Sequence, residues 1–452
     1  MHLQQRSLLL RIHFWAALIA SPIALIAAIT GILYIFTPQI EQALYSHLDS
    51  VTPSGVPQPL DTLVQSALKD VPDGWVLHAV SPAQNPTDSA RVIFMRDVAK
   101  KIVPSEHAGH GQPGVSANKG ASQPPAFLRT NFGLPNQALV VYVNPYSAQV
   151  LGRLPQSERF NVWAKSLHSK YLQNDRWRWI VELAASWLMV MLVTGIYLWW
   201  PRGPQSVLPQ STAKGRLAWK QWHAFVGVAV SLMSAVILVT GLTWSKNAGE
   251  QIRWLRDATG QRPPRISAQF KSTVPEHGTM LNWEQAYQAI RHAAPEVSMQ
   301  ITPPAGLAGF WRVSQLDRGQ PERLFDLLID AYSGRTLYYS DWDQQTMFGK
   351  ATAIGIPFHR GEFGWWNQAL LFAFGASVIF SIVSGWVMYF KRQRRGGSRL
   401  PRMVPGAWKS LSVGMWCGAL MMCIAMPLLA LSAVPVLMIE AALAWRVTGR
   451  SR

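Results

Sequence analysis

The chain has 452 residues, 49% of them hydrophobic and only 15% charged, with a formal net charge of +18. That composition excludes a disordered or fibrous chain, and two cysteines exclude a disulfide scaffold. The charge leaves three classes open, a nucleic-acid binder, a membrane-surface protein and a membrane-spanning one, and its distribution decides among them.

In chain order, the first strong feature is Phe14 to Phe36, 23 residues without a charge. At about 1.5 Å per residue this crosses a hydrocarbon core about 30 Å thick. Arg6 and Arg11 precede it as in a signal peptide. The run is nevertheless longer than an h-region of about 7–15 residues, and no small-x-small cleavage site follows, so a retained helix is expected. A long connection comes next. Leu60 to Leu68 reads as a short amphipathic helix, and Val92 to Met95 and Leu139 to Val143 as strands, with Asn144-Pro145 as a turn. Between those strands, residues 104–125 are rich in Pro, Gly, Ser and Ala and read as a flexible insertion, with His107 and His110 on a solvated linker.

Leu183 to Trp200 and Trp222 to Ser245 are again uncharged spans. In the second long connection Trp283 to Ile290 has helical apolar spacing. Trp311 to Val313, Leu324 to Ile329 and Thr336 to Tyr339 read as strands, with a turn at Ser333-Gly334. Trp365 to Phe390 is the fourth span. Leu411 to Ile439 is apolar but carries Pro427 and Pro435, which allows one span ending in an interfacial turn or a span plus a short return helix. Cys417 and Cys423 within it are six residues apart, about 600° around a helix, and read as packing residues on different faces. Trp15, Trp199, Trp200, Trp222, Trp244, Trp365 and Trp366 fall at span ends, as an aromatic belt requires.

The expected fold class is therefore a mainly α membrane protein, with four core transmembrane helices and a C-terminal hydrophobic segment, and with two α+β modules outside the membrane. The expected domains are residues 1–37 (N-terminus and first helix), 38–178 (first module), 179–245 (second and third helices) and 246–364 (second module). Residues 365–390 (fourth helix), 391–410 (basic loop) and 411–452 (C-terminal segment and tail) complete the division.

Orientation follows from the charges. Residues 1–13, 201–221 and 391–410 carry thirteen Lys and Arg and no acid. The long connections are nearly balanced, with 13 basic against 10 acidic residues in 37–178 and 13 against 12 in 246–364. The positive-inside rule places the three short segments in the cytoplasm and the two modules on the far side. Arg446, Arg450 and Arg452 suggest that the tail also ends inside. The folded modules are close to neutral, so the +18 is a topology signal and no nucleic-acid partner is expected.

Each core span ends near a small-residue pair: Thr30-Gly31, Thr194-Gly195, Thr240-Gly241 and Ser384-Gly385. Each is preceded by one histidine: His13, His168, His223 and His359. The histidine-to-hydroxyl spacing is 17 residues in spans one and three, against 26 in span two and 25 in span four. Spans one and two therefore read as repeated by spans three and four, in two parallel repeats related by an axis along the membrane normal. The ordinary reading of the glycines is close helix packing. The repeat puts His13 with His223 near the cytoplasmic face and His168 with His359 near the outer face. The last two lie 11 and 7 residues before Trp179 and Trp366, which leaves room for an elbow ahead of each helix.

Two facing imidazoles in a helix bundle are the ligand set of a bis-histidine b-type haem, whereas zinc needs more Cys or carboxylate ligands. No Cys-x-x-Cys-His is present for covalent haem attachment. Spacing alone also allows proton or ion translocation by the same histidines. Arg11, Lys220, Arg178 and Arg360 lie near them, as membrane anchors or as partners for haem propionates. There is no nucleotide loop and no flavin or NAD fingerprint, so the reductant must come from another molecule.

These features resemble the PepSY-associated transmembrane family, the iron-regulated inner-membrane proteins that include ferric-siderophore reductases. The resemblance rests on Arg11-Ile12-His13-Phe14-Trp15, Leu167-His168, the ending Thr194-Gly195-Ile196-Tyr197-Leu198-Trp199-Trp200-Pro201-Arg202, Trp222-His223, and Pro357-Phe358-His359 leading to Ser384-Gly385-Trp386. The connections look like PepSY modules at Trp283 to Pro295, Val141 to Tyr146 and Asp330 to Gly334. The chain departs from the pattern at Ala148, where the PepSY turn usually has glycine, and in the insertion with His107 and His110. The resemblance implies haem b, two groups in all, held axially by His13, His223, His168 and His359. It implies a bacterial inner-membrane, multi-pass protein with a cytoplasmic N-terminus that reduces ferric-siderophore iron in the periplasm with electrons from an unidentified donor. Some relatives are fused to a flavin reductase domain, for which there is no room after residue 410. Two other functions fit the resemblance: a non-enzymatic PepSY protein that regulates a protease, and an iron or siderophore transporter.

Overall fold

The computed structural model describes residues 2–96, 134, 137–200, 208–264, 266, 269–294, 296–392 and 400–449. His107 and His110, with the whole insertion 104–125, lie outside these residues. In chain order the helices are α1 (His2–Ile35), α2 (Thr37–Asp49), α3 (Leu60–Asp70), α4 (Phe160–Lys170), α5 (Arg178–Trp199), α6 (Gly215–Ala229), α7 (Ser231–Leu242), α8 (Asn247–Ala258), α9 (Trp283–Ala293), α10 (Met347–Arg360), α11 (Trp365–Phe390), α12 (Val413–Ala425) and α13 (Pro427–Gly449). The strands are β1 (Trp75–Ser81), β2 (Ala90–Arg96), β3 (Leu139–Val143), β4 (Val150–Pro155), β5 (Met299–Thr302), β6 (Phe310–Gln315), β7 (Asp326–Asp330) and β8 (Thr336–Ser340). The chain divides into a helical unit (Met1–Thr37, Ala164–Arg262, Ala351–Arg452) and a sheet unit (Pro38–Trp163, Pro263–Lys350).

Among the described residues of the helical unit, four helical stretches are long and apolar enough to cross a membrane: Leu3–Ile35, Asp175–Trp199, Trp365–Phe390 and Pro427–Trp445. α6 and α7 make a fifth if taken together, although they are bent by 58° at Val230. Both the hydroxyl and the amide of Ser234 bond the Val230 carbonyl, each at 2.8 Å, the back-bonding that bends helices. α1 packs on α5 and α11, α11 packs on α6, and α5 packs on α6 and α7, which closes a ring of helices. Small side chains permit the tightest approaches. Ala16 and Ala20 of α1 are buried one turn apart in a cluster that includes Trp187 of α5, and a Cβ on Gly375 of α11 would stand 2.8 Å from Ile32.

The C-terminal segment reverses the expected order of its parts. The short helix, α12, comes first with 13 residues, and the span-length helix is α13, which has Pro427 as its first residue and keeps Pro435 inside it. Trp187 donates to the Ser432 hydroxyl at 2.9 Å, tying α5 to α13. Glu182 of α5, 2% exposed, accepts from the Asn247 amide at 3.1 Å and the Ala248 amide at 2.7 Å and so caps α8 with a negative charge.

The described residues of the sheet unit form one eight-stranded antiparallel sheet in the order β4-β3-β2-β1-β5-β6-β7-β8. The two connections, read from the sequence as separate modules, thus contribute four strands each to one sheet, joined where Val80 of β1 pairs with Ile301 of β5. One core runs under both halves, including Leu63, Val64, Val92 and Val141 from the first and Ile290, Ile301, Val313 and Leu327 from the second. Its helices cap each other. Asp61 of α3 accepts from the Trp283 and Glu284 amides that open α9, at 3.1 and 3.0 Å, and Glu284 accepts from the Leu60 amide that opens α3, at 2.9 Å. Arg159 supports the β3 side. It bonds Asp49 and the Tyr142 hydroxyl, each at 2.7 Å, and the neighbouring Tyr142 and carboxylates hold its guanidinium above the ordinary range against the opposing effect of burial.

Candidate functional site

The four histidines all belong to the helical unit. His13 lies on α1 and His223 on α6, and their rings face edge to plane with centroids 6.4 Å apart and an interplanar angle of 87°. His168 and His359 lie on α4 and α10, short helices ahead of α5 and α11, and are near enough for their charges to interact. Each short helix is followed by a left-handed turn, at Tyr171 (φ 52°) and Leu172 (φ 62°) after His168 and at Gly361 (φ 76°) after His359. These elbows account for the longer spacing of 26 and 25 residues against 17.

The Thr/Ser-Gly pairs have a role that sequence spacing does not reveal. Each hydroxyl meets the histidine of a neighbouring antiparallel element and not the one on its own span. Nδ1 of His13 lies 3.0 Å from Thr194 Oγ1 of α5, and Nδ1 of His168 lies 3.2 Å from Thr30 Oγ1 of α1. The same exchange occurs in the other half, where His223 Nδ1 lies 2.8 Å from Ser384 Oγ of α11 and His359 Nδ1 lies 2.9 Å from Thr240 Oγ1 of α7. Antiparallel packing explains it, because the start of one helix lies beside the end of its neighbour. The glycines serve the same contacts. A Cβ at Gly195, Gly31, Gly241 or Gly385 would stand 3.3, 3.3, 3.4 or 3.8 Å from Cε1 of His13, His168, His359 or His223. The packing reading is thus corrected in its partner: these glycines make room for an imidazole.

The cations named from the sequence are mostly engaged. Arg11 pairs with Glu440 at 2.7 Å and donates to the Pro401 carbonyl at 2.7 Å. Arg360 donates to Tyr34 at 2.9 Å and pairs with Glu362 at 2.8 Å. Arg178 lies 4.0 Å from Asp175, and Lys220 is exposed. Sequence reasoning missed Arg216 and Arg392. Arg216 donates to the Met388 carbonyl at 3.3 Å, tying α6 to the end of α11. Burial, with the adjacent charges of Arg216 and Arg11, holds Arg392 below the ordinary guanidinium range. The signal for Arg216 is its place seven residues, two turns, before His223.

Among the described residues no three His, Cys, Asp or Glu side chains converge, so the donor set is two imidazoles and not the four ligands of a structural zinc. Two imidazoles bound through Nε2 to one metal ion, at about 2 Å each, have centroids roughly 6 Å apart. The 6.4 Å separation of His13 and His223, with Nδ1 of each turned to a hydroxyl, is the spacing at which the two imidazoles would hold one haem iron between them.

A family model described as the PepSY-associated TM region matches residues 10–392. No curated protein matches the chain.

Proposed function

The chain belongs to the PepSY-associated TM family, and from that premise we propose that it is an inner-membrane haem oxidoreductase that passes electrons across the bilayer to ferric iron carried by a siderophore. The observation that carries the reading is the His13–His223 pair, two imidazoles face to edge at 6.4 Å inside a ring of apolar helices. His168 and His359 are the second ligand pair. Thr30, which meets His168, is 17 residues from His13 on the same helix, so the two pairs are roughly 26 Å apart along α1.

Haem bound at each pair supplies one-electron chemistry within an otherwise insulating layer. The chain's own residues orient the imidazoles, exclude water with apolar helices and supply cations for the propionates, for which Arg216 and Arg392 are the best placed at the His13/His223 end. The parallel repeat rationalises the matched pairs: His13 and His223 are corresponding residues of two copies, as are His168 and His359. With the N-terminus in the cytoplasm, His13 and His223 form the entry side and His168 and His359 the exit side. One electron converts the siderophore's Fe(III) to Fe(II), which hard oxygen ligands hold less tightly, so the metal is released. The electron donor is a separate molecule. A protease regulator or a siderophore transporter has no use for imidazoles paired at both ends of the bundle.

The test is the absorbance spectrum of the purified full chain before and after dithionite. Reduced b-type bands are expected, and His13→Ala and His223→Ala should each remove the contribution of one haem. Protein free of haem, or spectra unchanged in both variants, would overturn the reading.

A further inference from the structure

Resting on the reading of the four histidines as haem ligands, we infer that Thr194, Thr30, Thr240 and Ser384 are positioning residues that hold His13, His168, His359 and His223 in the Nδ1–H tautomer and so reserve each Nε2 lone pair for the metal. A hydroxyl has one proton to give, and here it is committed to the helix carrying it. Thr194 donates to the Val190 carbonyl at 2.7 Å, Thr30 to Ile26 at 2.8 Å, Thr240 to Val236 at 2.7 Å and Ser384 to Ser381 at 3.0 Å. The oxygen therefore faces the histidine with its lone pairs, and the proton in the 2.8–3.2 Å contact belongs to Nδ1.

A second set of oxygens gives the same answer. The backbone carbonyls of Met191, Ala27, Ile237 and Ser381, three residues before each hydroxyl, lie 3.0–3.3 Å from the hydroxyls of Thr194, Thr30, Thr240 and Ser384. A carbonyl only accepts, so the oxygens gathered beside each Nδ1 call for a donor there. A neutral imidazole has one N–H, and with it fixed at Nδ1 the other nitrogen is the ligand. The pattern occurs four times with the same atoms, on α5, α1, α7 and α11. A hydroxyl that served helix packing alone would have no reason to meet Nδ1 each time.

The test uses the full-length protein in lipid nanodiscs with Thr194→Val, which keeps the volume and removes the acceptor, Ser384→Ala, which cannot overpack, and Thr194→Ser as the conservative rescue. The first readout is the rate of haem transfer to excess apomyoglobin. Loss of an outer hydrogen-bond partner costs about 10–100-fold in affinity, so Val and Ala variants are expected to release haem at least 10-fold faster and the Ser variant at the wild-type rate. The second readout is the nitrogen spectrum of 15N-histidine-labelled protein stripped of haem, where wild type minus Thr194→Val isolates His13 and should show the proton on Nδ1. Unchanged release in both the Val and Ala variants, or a proton on Nε2 in wild type, would overturn the inference. Wild-type protein that binds no haem sinks the reading of the preceding subsection instead, and the nitrogen spectra still decide the tautomer.

Discussion

Arg11 and Glu440 stand 429 positions apart in the chain and form a 2.7 Å ion pair whose side chains are 11% and 10% exposed. The Trp15 indole also donates to Glu440. Glu440 lies on α13, beyond residue 392 where the family match ends, and Arg11 is two residues before His13 on α1. The C-terminal helix therefore clamps the end of α1 that presents a candidate ligand. Removing one partner leaves a buried, uncompensated charge, which costs about 3–5 kcal/mol, whereas replacing both by apolar residues is often close to neutral. Glu440→Ala should lower the melting temperature of the detergent-solubilised chain markedly, and Arg11→Leu with Glu440→Leu should recover most of the loss. A double variant as unstable as the sum of its singles would show that the pair itself is not the source.

Much of this was legible in the sequence, for identifiable reasons. Uncharged runs located α1, α5 and α11, because exclusion of charge is a strong, local constraint. The matched spacings pointed to His13 with His223 and His168 with His359; the structure sets the first two rings 6.4 Å apart and puts the second two on the short helices α4 and α10. What stayed hidden depends on which elements pack side by side. That Thr194 serves His13 and Thr30 serves His168 follows from antiparallel neighbours, which the order of residues along one span does not display. The Arg11–Glu440 pair, and the joining of the two halves of the sheet by Val80 and Ile301, are contacts between segments far apart in sequence. The bend at Val230 has no proline to announce it. β1, β4 and β5 were missed: His78 breaks the apolar pattern of the first, Gly152, at φ 158°, stands inside the second, and the third has only four residues.

The glycines at the hydroxyl pairs should not be equally replaceable. A Cβ at Gly195 would stand 3.3 Å from His13 Cε1, closer than ordinary contact, while one at Gly385 would sit at 3.8 Å from His223 Cε1. Gly195→Ala must therefore push an imidazole or a helix, at about 1–3 kcal/mol, and Gly385→Ala should fit. The expected outcome is reduced haem content per chain for the first variant and near-normal content for the second. Equal losses would mean that the glycines act through helix flexibility and not through space for the ring.

Two hairpins of the sheet unit turn in the same way with different residues. Asn144 accepts from the Tyr146 amide at 2.9 Å and leads to Ala148 at φ 56°, while Asp330 accepts from the Tyr332 amide at 2.9 Å and leads to Gly334 at φ 71°. A left-handed alanine costs about 1–2 kcal/mol, against about 0.5–1 kcal/mol of extra chain entropy lost by glycine. Ala148→Gly should therefore stabilise the sheet by up to about 1 kcal/mol. Gly334→Ala should destabilise it by more, because its Cβ would also meet the Ala289 Cβ at 3.2 Å. Thermal unfolding of the full chain checks both signs, and a destabilised Ala148→Gly would contradict the account.

The Asp330 turn also ties the sheet to pH. Burial pushes this carboxyl upward, but the amides of Ser333, Tyr332 and Thr273 donate to the charged form and hold it below the usual carboxylate range. Thr273 donates at 2.9 Å and Ser333 at 2.9 Å. Because the folded-state value is depressed, the contribution to stability is fully present above the unfolded aspartate value of about 4 and is lost as pH falls through the lower folded value. Asp330→Asn should keep part of the turn, as Asn144 does in the other hairpin, but remove that acid dependence. Unfolding of wild type and Asp330→Asn across pH 7 down to 3 should show a stability difference that is constant near neutrality and shrinks in acid. A difference that stays constant over the whole range would mean that the carboxylate charge contributes nothing at this turn.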